Sequence, residues 1–248
     1  MTRNDHFSRQ AEGYSLYRPA YPKTLINFLL ENADGRDRLW DAGTGNGQLA
    51  RQLATDFTQV FATDHSANQL NFARGPENVK FIHCPSEKTP LPDNSIDMVT
   101  IAQAIHWFDR PAFYQEVRRV GKSGSKIAAL GYGSLQIEGL EEILAAFHSR
   151  TFGEFLSAER RHVDEHYRNL YFPFPEVPCP EFRQSFVWDL PMLEGYFNTW
   201  SSVQKYIDKY AVNPVGALMR AIQDKLDGEM EVRVTFPYFM RLGTIGSG

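Results

Sequence analysis

The chain has 248 residues, of which 42% are apolar, and carries 26 Lys and Arg against 30 Asp and Glu, a net charge of −4 with histidine neutral. That balance excludes the basic face that sequence-independent nucleic-acid binding requires, and no apolar run approaches the ~18 residues of a membrane span. Two cysteines, Cys84 and Cys179, make no disulfide framework and predict a reducing compartment, the cytoplasm. Met1 to Gln10 is polar, without the apolar segment of a secretory signal.

In chain order, Tyr21 to Asn32 reads as a helix, with Pro22 in its first turn and Leu25, Phe28 and Leu29 at helical spacing. A short strand, Arg38 to Asp41, leads through a glycine-rich turn into a helix from Gln48 to Phe57. Gln59 to Thr63 is strand-like, Ser66 to Arg74 a helix capped by Ser66, and Val79 to His83 a strand. Pro85 to Ser95 holds three prolines and reads as a loop. Ile96 to Ala102 is almost wholly apolar, as in a strand buried on both faces. A helix at Pro111 to Val120, a turn at Lys122 to Ser125 and a strand at Lys126 to Gly131 follow.

This alternation predicts βαβ units and a parallel sheet. Beyond residue 133 the rhythm changes. Glu138 to Phe155 reads as a helix, and Phe172 to Pro180, with four prolines in nine residues, as an extended linker. Phe182 to Leu190 is a strand, Met192 to Tyr210 a helix and Val232 to Leu242 a last strand. The expectation is one α/β domain over 1–248, doubly wound and Rossmann-like. Its core is 1–133, a mostly helical lobe at 134–180 lies between the fifth and sixth strands, and 181–248 supplies the final strands and helix.

The turn after the first strand runs Asp41-Ala42-Gly43-Thr44-Gly45-Asn46-Gly47. Alternate glycines let a ligand approach the backbone, because no Cβ intervenes. A dinucleotide fingerprint needs glycine where Gln48 stands, which disfavours an NAD enzyme. A P-loop needs Gly-Lys-Ser/Thr, which is absent. What remains is acid-x-G-x-G-x-G. Asp64 ends the second strand, where a carboxylate can accept both hydroxyls of a ribose, as in any nucleoside site of this topology.

This loop resembles the first motif of class I S-adenosylmethionine (SAM) methyltransferases. The resemblance implies a fold with seven strands and a cofactor site at Asp41, Gly43, Thr44, Gly45 and Gly47, with Asp41 on the side of the SAM ammonium group. It places Asp64 at the ribose and His65 at the adenine or ribose edge. The family usually has an acid near Pro85 to bind the adenine amine. Here the residues are Cys84-Pro85-Ser86-Glu87, and the backbone N–H groups of Ser86 and Glu87 are the substitutes. Gln103, at the end of the fourth strand, is where such folds place ligand-facing groups.

Further segments narrow the family. Tyr14 to Pro22, His106-Trp107-Phe108-Asp109, Gly131-Tyr132, Thr199-Trp200-Ser201 and Phe236 to Leu242 look like the trans-aconitate methyltransferase group. That likeness implies that Tyr14 and Arg18 cover the SAM methionine carboxylate and that His106 and Trp107 face the reacting centre. Tyr132 and Trp200 would line the substrate. The implied reaction is methylation of an oxygen of a small carboxylic acid. Such an acid is ionised at neutral pH and needs no general base, whereas a hydroxyl acceptor would use His106. Two other readings stand beside this one: a catalytically silent SAM-binding or partner-binding protein, and a zinc hydrolase. The latter comes from His162-Val163-Asp164-Glu165-His166, which matches H-x-x-E-H.

Overall fold

The computed structural model describes residues 17–152, 155 and 159–246. They fall into two compact units, one within the bounds Ala20–Gly133, Glu159–Phe182 and Tyr238–Gly248, the other within Met1–Pro19, Ser134–Ala158 and Arg183–Pro237.

The first unit is a twisted sheet with helices. Strand β1 (Arg38–Ala42) lies between β2 (Gln59–Asp64) and β4 (Ile96–Ala102), and β3 (Val79–His83) flanks β2. All of these pairings are parallel, with Trp40 opposite Phe61 on one side and Val99 on the other. β5 (Gly121–Tyr132) runs parallel to β4, and the second half of β9 (Glu231–Thr244) runs antiparallel to β5. The order β3-β2-β1-β4-β5-β9 is the expected doubly wound arrangement. β4 is buried along its length up to Thr100 and Ile101, which is why it reads as an unbroken apolar run. Trp40 is fully buried and its indole N–H donates to Thr63 Oγ1 at 2.9 Å, so the ring packs without an orphaned donor.

Helix α1 (Lys23–Glu31) precedes β1, and α2 (Gln48–Leu53), α3 (Ala67–Asn71) and α4 (Arg110–Val120) link successive strands. Ser66 caps α3 by accepting from Gln69 N, and Asp109 caps α4 by accepting from Ala112 N. Pro22 stands outside α1 as its extended N-cap rather than inside it. The predicted turn at Lys122 to Ser125 exists as a bulge within β5. Ile96 pairs with Gly121 but Met98 with Lys126, and Gly124 adopts φ +86° in between.

Phe172 to Pro180 is not a linker. Phe172 and Phe174 are buried in the core cluster around Trp40, and Glu176–Val177 forms a short strand, β7, antiparallel to β9. The prolines are tolerated because this piece is a two-residue edge strand. Burial of Tyr167, Phe172 and Phe174 also ties residues 159–182 to the sheet's unit, so the compact units have other bounds than a 134–180 lobe.

The second unit contains β6 (Gln136–Ile137), α5 (Glu141–Phe152), most of β8 (Phe182–Asp189) and the first half of β9, with which β6 and β8 pair. The helix expected from Met192 to Tyr210 is two helices, α7 (Leu190–Asn198) and α8 (Ser201–Tyr210), broken where Trp200 turns extended. (A sixth helix, α6, Arg160–Asp164, belongs to the first unit.) A further helix, α9 (Val215–Leu226), escaped the sequence reading. Its signal was there, since Val215, Leu218, Met219 and Ile222 bury one face at helical spacing after Pro214. Among the described residues no helix is long and apolar enough to cross a membrane.

Candidate active site

The glycine loop leaves β1 with three left-handed residues, Gly43 at φ +67°, Gly45 at +59° and Gly47 at +84°. The three have different roles. A Cβ on Gly43 would stand 2.6 Å from Ala104 Cβ, and one on Gly47 would stand 2.7 Å from the Phe81 ring, so these two glycines permit packing. Among the described residues, a Cβ on Gly45 would meet only Gln69 Oε1, at 3.9 Å. Gly45 therefore keeps open backbone at the carboxyl ends of the strands, where this fold binds ligands.

The loop is tied to the end of β2. Thr44 N donates to Thr63 O at 2.9 Å and Gly45 N to Asp64 Oδ2 at 2.8 Å. Asp64 Oδ1 accepts from Ser66 N at 2.8 Å. Both carboxylate oxygens thus order backbone, and each has a second lone-pair site with which to accept a hydroxyl. His65 is largely exposed, with Nδ1 3.7 Å from Asp64 Oδ1.

Asp41 is 1% exposed. Its Oδ2 accepts from Thr44 Oγ1 at 2.6 Å and its Oδ1 from Thr100 Oγ1 at 2.8 Å. Burial pushes its pKa up to about 6, against the two hydroxyl bonds that favour the anion and with help from the nearby Asp64 charge. A buried carboxylate of this kind gains by meeting a cation.

Ser86 is buried and Glu87 partly so, in a turn closed by Lys88 N donating to Pro85 O. The Glu87 carboxylate accepts from Asp109 N at 3.0 Å, so its side chain braces the start of α4. Behind the turn, Glu116 accepts from Thr89 N and Thr89 Oγ1, both at 2.6 Å. Together with Arg119, these bonds hold the Glu116 carboxyl below its usual range, against its burial.

β4 is followed by Gln103, a left-handed non-glycine residue at φ +55°, whose Nε2 donates to Tyr132 O at 2.9 Å. A short 3-10 turn, Ile105–Trp107, follows. It buries the His106 ring, which is 8% exposed, and leaves Trp107 46% exposed beside it, ring centroids 4.9 Å apart. His106 Nδ1 lies 3.1 Å from Tyr167 Oη. Tyr132 is 6% exposed and packs edge-on against Tyr238 and tilted against Tyr21. Its ring is therefore held by aromatic contacts within this unit.

Residues 40–129 match the family model described as a methyltransferase domain. A solved structure from Anaeromyxobacter dehalogenans, assigned as a type II methyltransferase, is 33% identical, with a TM-score of 0.86 over 94% of this chain and 100% of that one. The chain belongs to the class I SAM-dependent methyltransferases. A Dictyostelium discoideum relative assigned as a methyltransferase is 26% identical over 248 residues, 96% of this chain and 94% of its own length. A Saccharomyces cerevisiae protein assigned as a SAM-dependent methyltransferase is 26% identical over 179 residues, 66% of this chain and 62% of its own.

The residues of this methyltransferase fit the cofactor. Gly45 presents backbone on which a Cβ would stand 3.9 Å from Gln69 Oε1, Asp64 can accept hydroxyls, and Asp41 offers a buried acid to a cation. Saturating SAM or S-adenosylhomocysteine, at about 100 times Kd, is expected to raise Tm by roughly 5–10 °C in thermal unfolding. NAD at the same concentration is expected to leave it unchanged, and a shift with NAD alone would overturn this assignment of the loop.

Tyr14 lies outside the described residues. Arg18 and Trp200 belong to the second unit, Arg18 with its guanidinium 5.7 Å from the Tyr196 ring centroid and Trp200 packed against Phe197 and Phe147. The H-x-x-E-H pattern does not form a zinc face. α6 ends at Asp164 and His166 has turned left-handed at φ +54°, so His162 and His166 do not share a helix. The His166 ring stacks on Phe239 at 4.8 Å, and no group of three metal-ligating side chains occurs among the described residues.

Proposed function

We propose that this methyltransferase acts on a small carboxylic acid of the trans-aconitate type, esterifying a carboxylate oxygen. Bound SAM supplies an electrophilic methyl carbon on a positively charged sulfur. Displacement there is in line, and the chain's part is positioning and exclusion of water, which can supply ~7–11 kcal/mol. The observation that carries the reading is the pairing of His106. Its Nδ1 meets the phenol hydroxyl of Tyr167, a neutral partner that orients a ring without the basicity a carboxylate partner would add. Such a histidine suits an acceptor already ionised at neutral pH. His106 then orients the acceptor carboxylate by hydrogen bonding, with Trp107 beside it.

The test is incubation with SAM and a panel of small mono-, di- and tricarboxylic acids, trans-aconitate among them, beside phenols and amines. The expected product is a base-labile methyl ester of an acid. Transfer only to hydroxyls or amines would overturn the proposal. On an acid, His106→Ala is expected to keep the SAM affinity and lose less than about tenfold in turnover, because no proton has to be removed. A loss of about a thousandfold on an acid would overturn this account of His106.

A further inference from the structure

We propose that Tyr167 is the positioning residue for His106, its hydroxyl fixing the orientation and tautomer of the imidazole during methyl transfer. The inference rests on His106 facing the acceptor, as proposed above. The two residues are 61 apart in sequence and meet at 3.1 Å between His106 Nδ1 and Tyr167 Oη, with ring centroids 5.9 Å apart.

Tyr167 reaches that place by an unusual route. Its side chain is fully buried, and it and His166 are consecutive left-handed residues, at φ +59° and +54°. For side-chain-bearing residues this conformation costs roughly 1–2 kcal/mol each. It persists only where the surroundings over-determine it.

The surroundings here come from β9 and β7. The Phe239 ring stacks on His166, interplanar angle 15°, and meets Tyr167 edge-on at 5.0 Å and 88°. Arg241 Nη1 donates to Tyr167 O at 3.0 Å and also to Leu170 O. Its Nε donates to Glu176 Oε2 at 2.9 Å, which anchors the guanidinium. Tyr167 N donates to His162 O at 2.7 Å and closes the turn. A tyrosine that merely filled the core would need no such frame. This one brings its hydroxyl to Nδ1 of a ring 61 residues away in sequence.

The experiment is 15N NMR of the His106 imidazole in the full chain with S-adenosylhomocysteine, comparing wild type with Tyr167→Phe. It is paired with steady-state kinetics on the small acid methylated fastest, trans-aconitate being tried first. Phe keeps the ring contacts with Phe239, so the fold is expected to survive. Were it not to, 3-fluorotyrosine at 167 keeps the shape and changes only the acidity of the hydroxyl.

The expected result is a change in the Nδ1 and Nε2 shifts toward the tautomer mixture of free histidine. The KM for the acid should rise about threefold while the Kd for SAM stays unchanged. Unchanged 15N shifts would overturn the proposal. Shifted resonances with unchanged kinetics would also overturn the positioning role. His106→Ala then tells which reading failed: if it too leaves turnover unchanged, the placement of His106 at the acceptor is what is wrong.

Discussion

Asp41→Asn is expected to make the unliganded protein more stable at pH 8 while removing most of its affinity for SAM. Asp41 is buried and its pKa is pushed up from the ordinary 3.8 to about 6. A carboxyl whose pKa is raised on folding stabilises the native state fully below its unfolded pKa, and that contribution is lost as pH rises through the folded value. The loss here amounts to about 3 kcal/mol above pH 6, since one pKa unit is about 1.4 kcal/mol. Asparagine occupies the same volume, keeps an oxygen to accept from Thr44 or Thr100, and carries no charge.

The Tm advantage of Asp41→Asn should therefore be small near pH 4, grow through pH 6 and level off near pH 8. Against it stands the loss of a charge-assisted contact to the cofactor's ammonium group, about 1.5–3 kcal/mol or roughly 10–100-fold in Kd. Thermal unfolding from pH 4 to 8, with and without SAM, reads both effects. A variant destabilised equally at every pH would show that the carboxylate is a structural acceptor and not a cofactor group. Storing an ionised acid in the sheet, at a cost in stability, is a known pattern of functional sites.

Substitutions at Gly45 and Gly47 are expected to separate binding from folding. Alanine at either position takes on a left-handed backbone, a penalty of roughly 1–2 kcal/mol. At Gly47 the new Cβ also meets Phe81 at 2.7 Å, adding overpacking of roughly 1–3 kcal/mol. At Gly45 no such clash exists, because the nearest atom is 3.9 Å away. Gly45→Ala should thus fold with a modestly lower Tm. It should also weaken SAM binding by about 100-fold, since its methyl stands between backbone and ligand. Gly47→Ala should lose more stability than Gly45→Ala. Calorimetric titration with SAM decides the first and thermal unfolding the second. A Gly45→Ala protein that bound SAM as wild type does would remove the loop from the cofactor site.

The glycine loop could be read from sequence because its determinants are local. Asp41 to Gly47 follow a strand and precede a helix within a few residues, and turn chemistry at that junction admits few alternatives. Glycine at three positive-φ positions is a backbone requirement that shows directly as composition. The alternation of strands and helices up to residue 132 was legible for the same reason.

The surroundings of His106 and the end of β4 were not. Gln103, His166 and Tyr167 carry positive φ with no local residue to announce it, and each is held by distant contacts. The H-x-x-E-H pattern misled because residue spacing describes a helix face only if the helix continues, and α6 stops at Asp164. Phe172 to Pro180 misled in the opposite sense. Proline content marks the absence of a central strand but says nothing of Phe172 and Phe174, whose rings are buried under Arg118 and Arg241.

Amino-acid order alone therefore determined the class of this protein, its parallel sheet and the glycine loop after β1. These follow from hydrophobic periodicity and from glycine at a turn, which depend on near neighbours. The tertiary structure decided the protonation of Asp41, the partner of His106 and the fate of the proline-rich segment. Each depends on which distant groups are packed together: Thr100 and Asp64 around Asp41, Tyr167 on His106, β9 against β7. Burial and long-range partners set electrostatics and side-chain geometry, and neither is encoded in the spacing of residues along the chain.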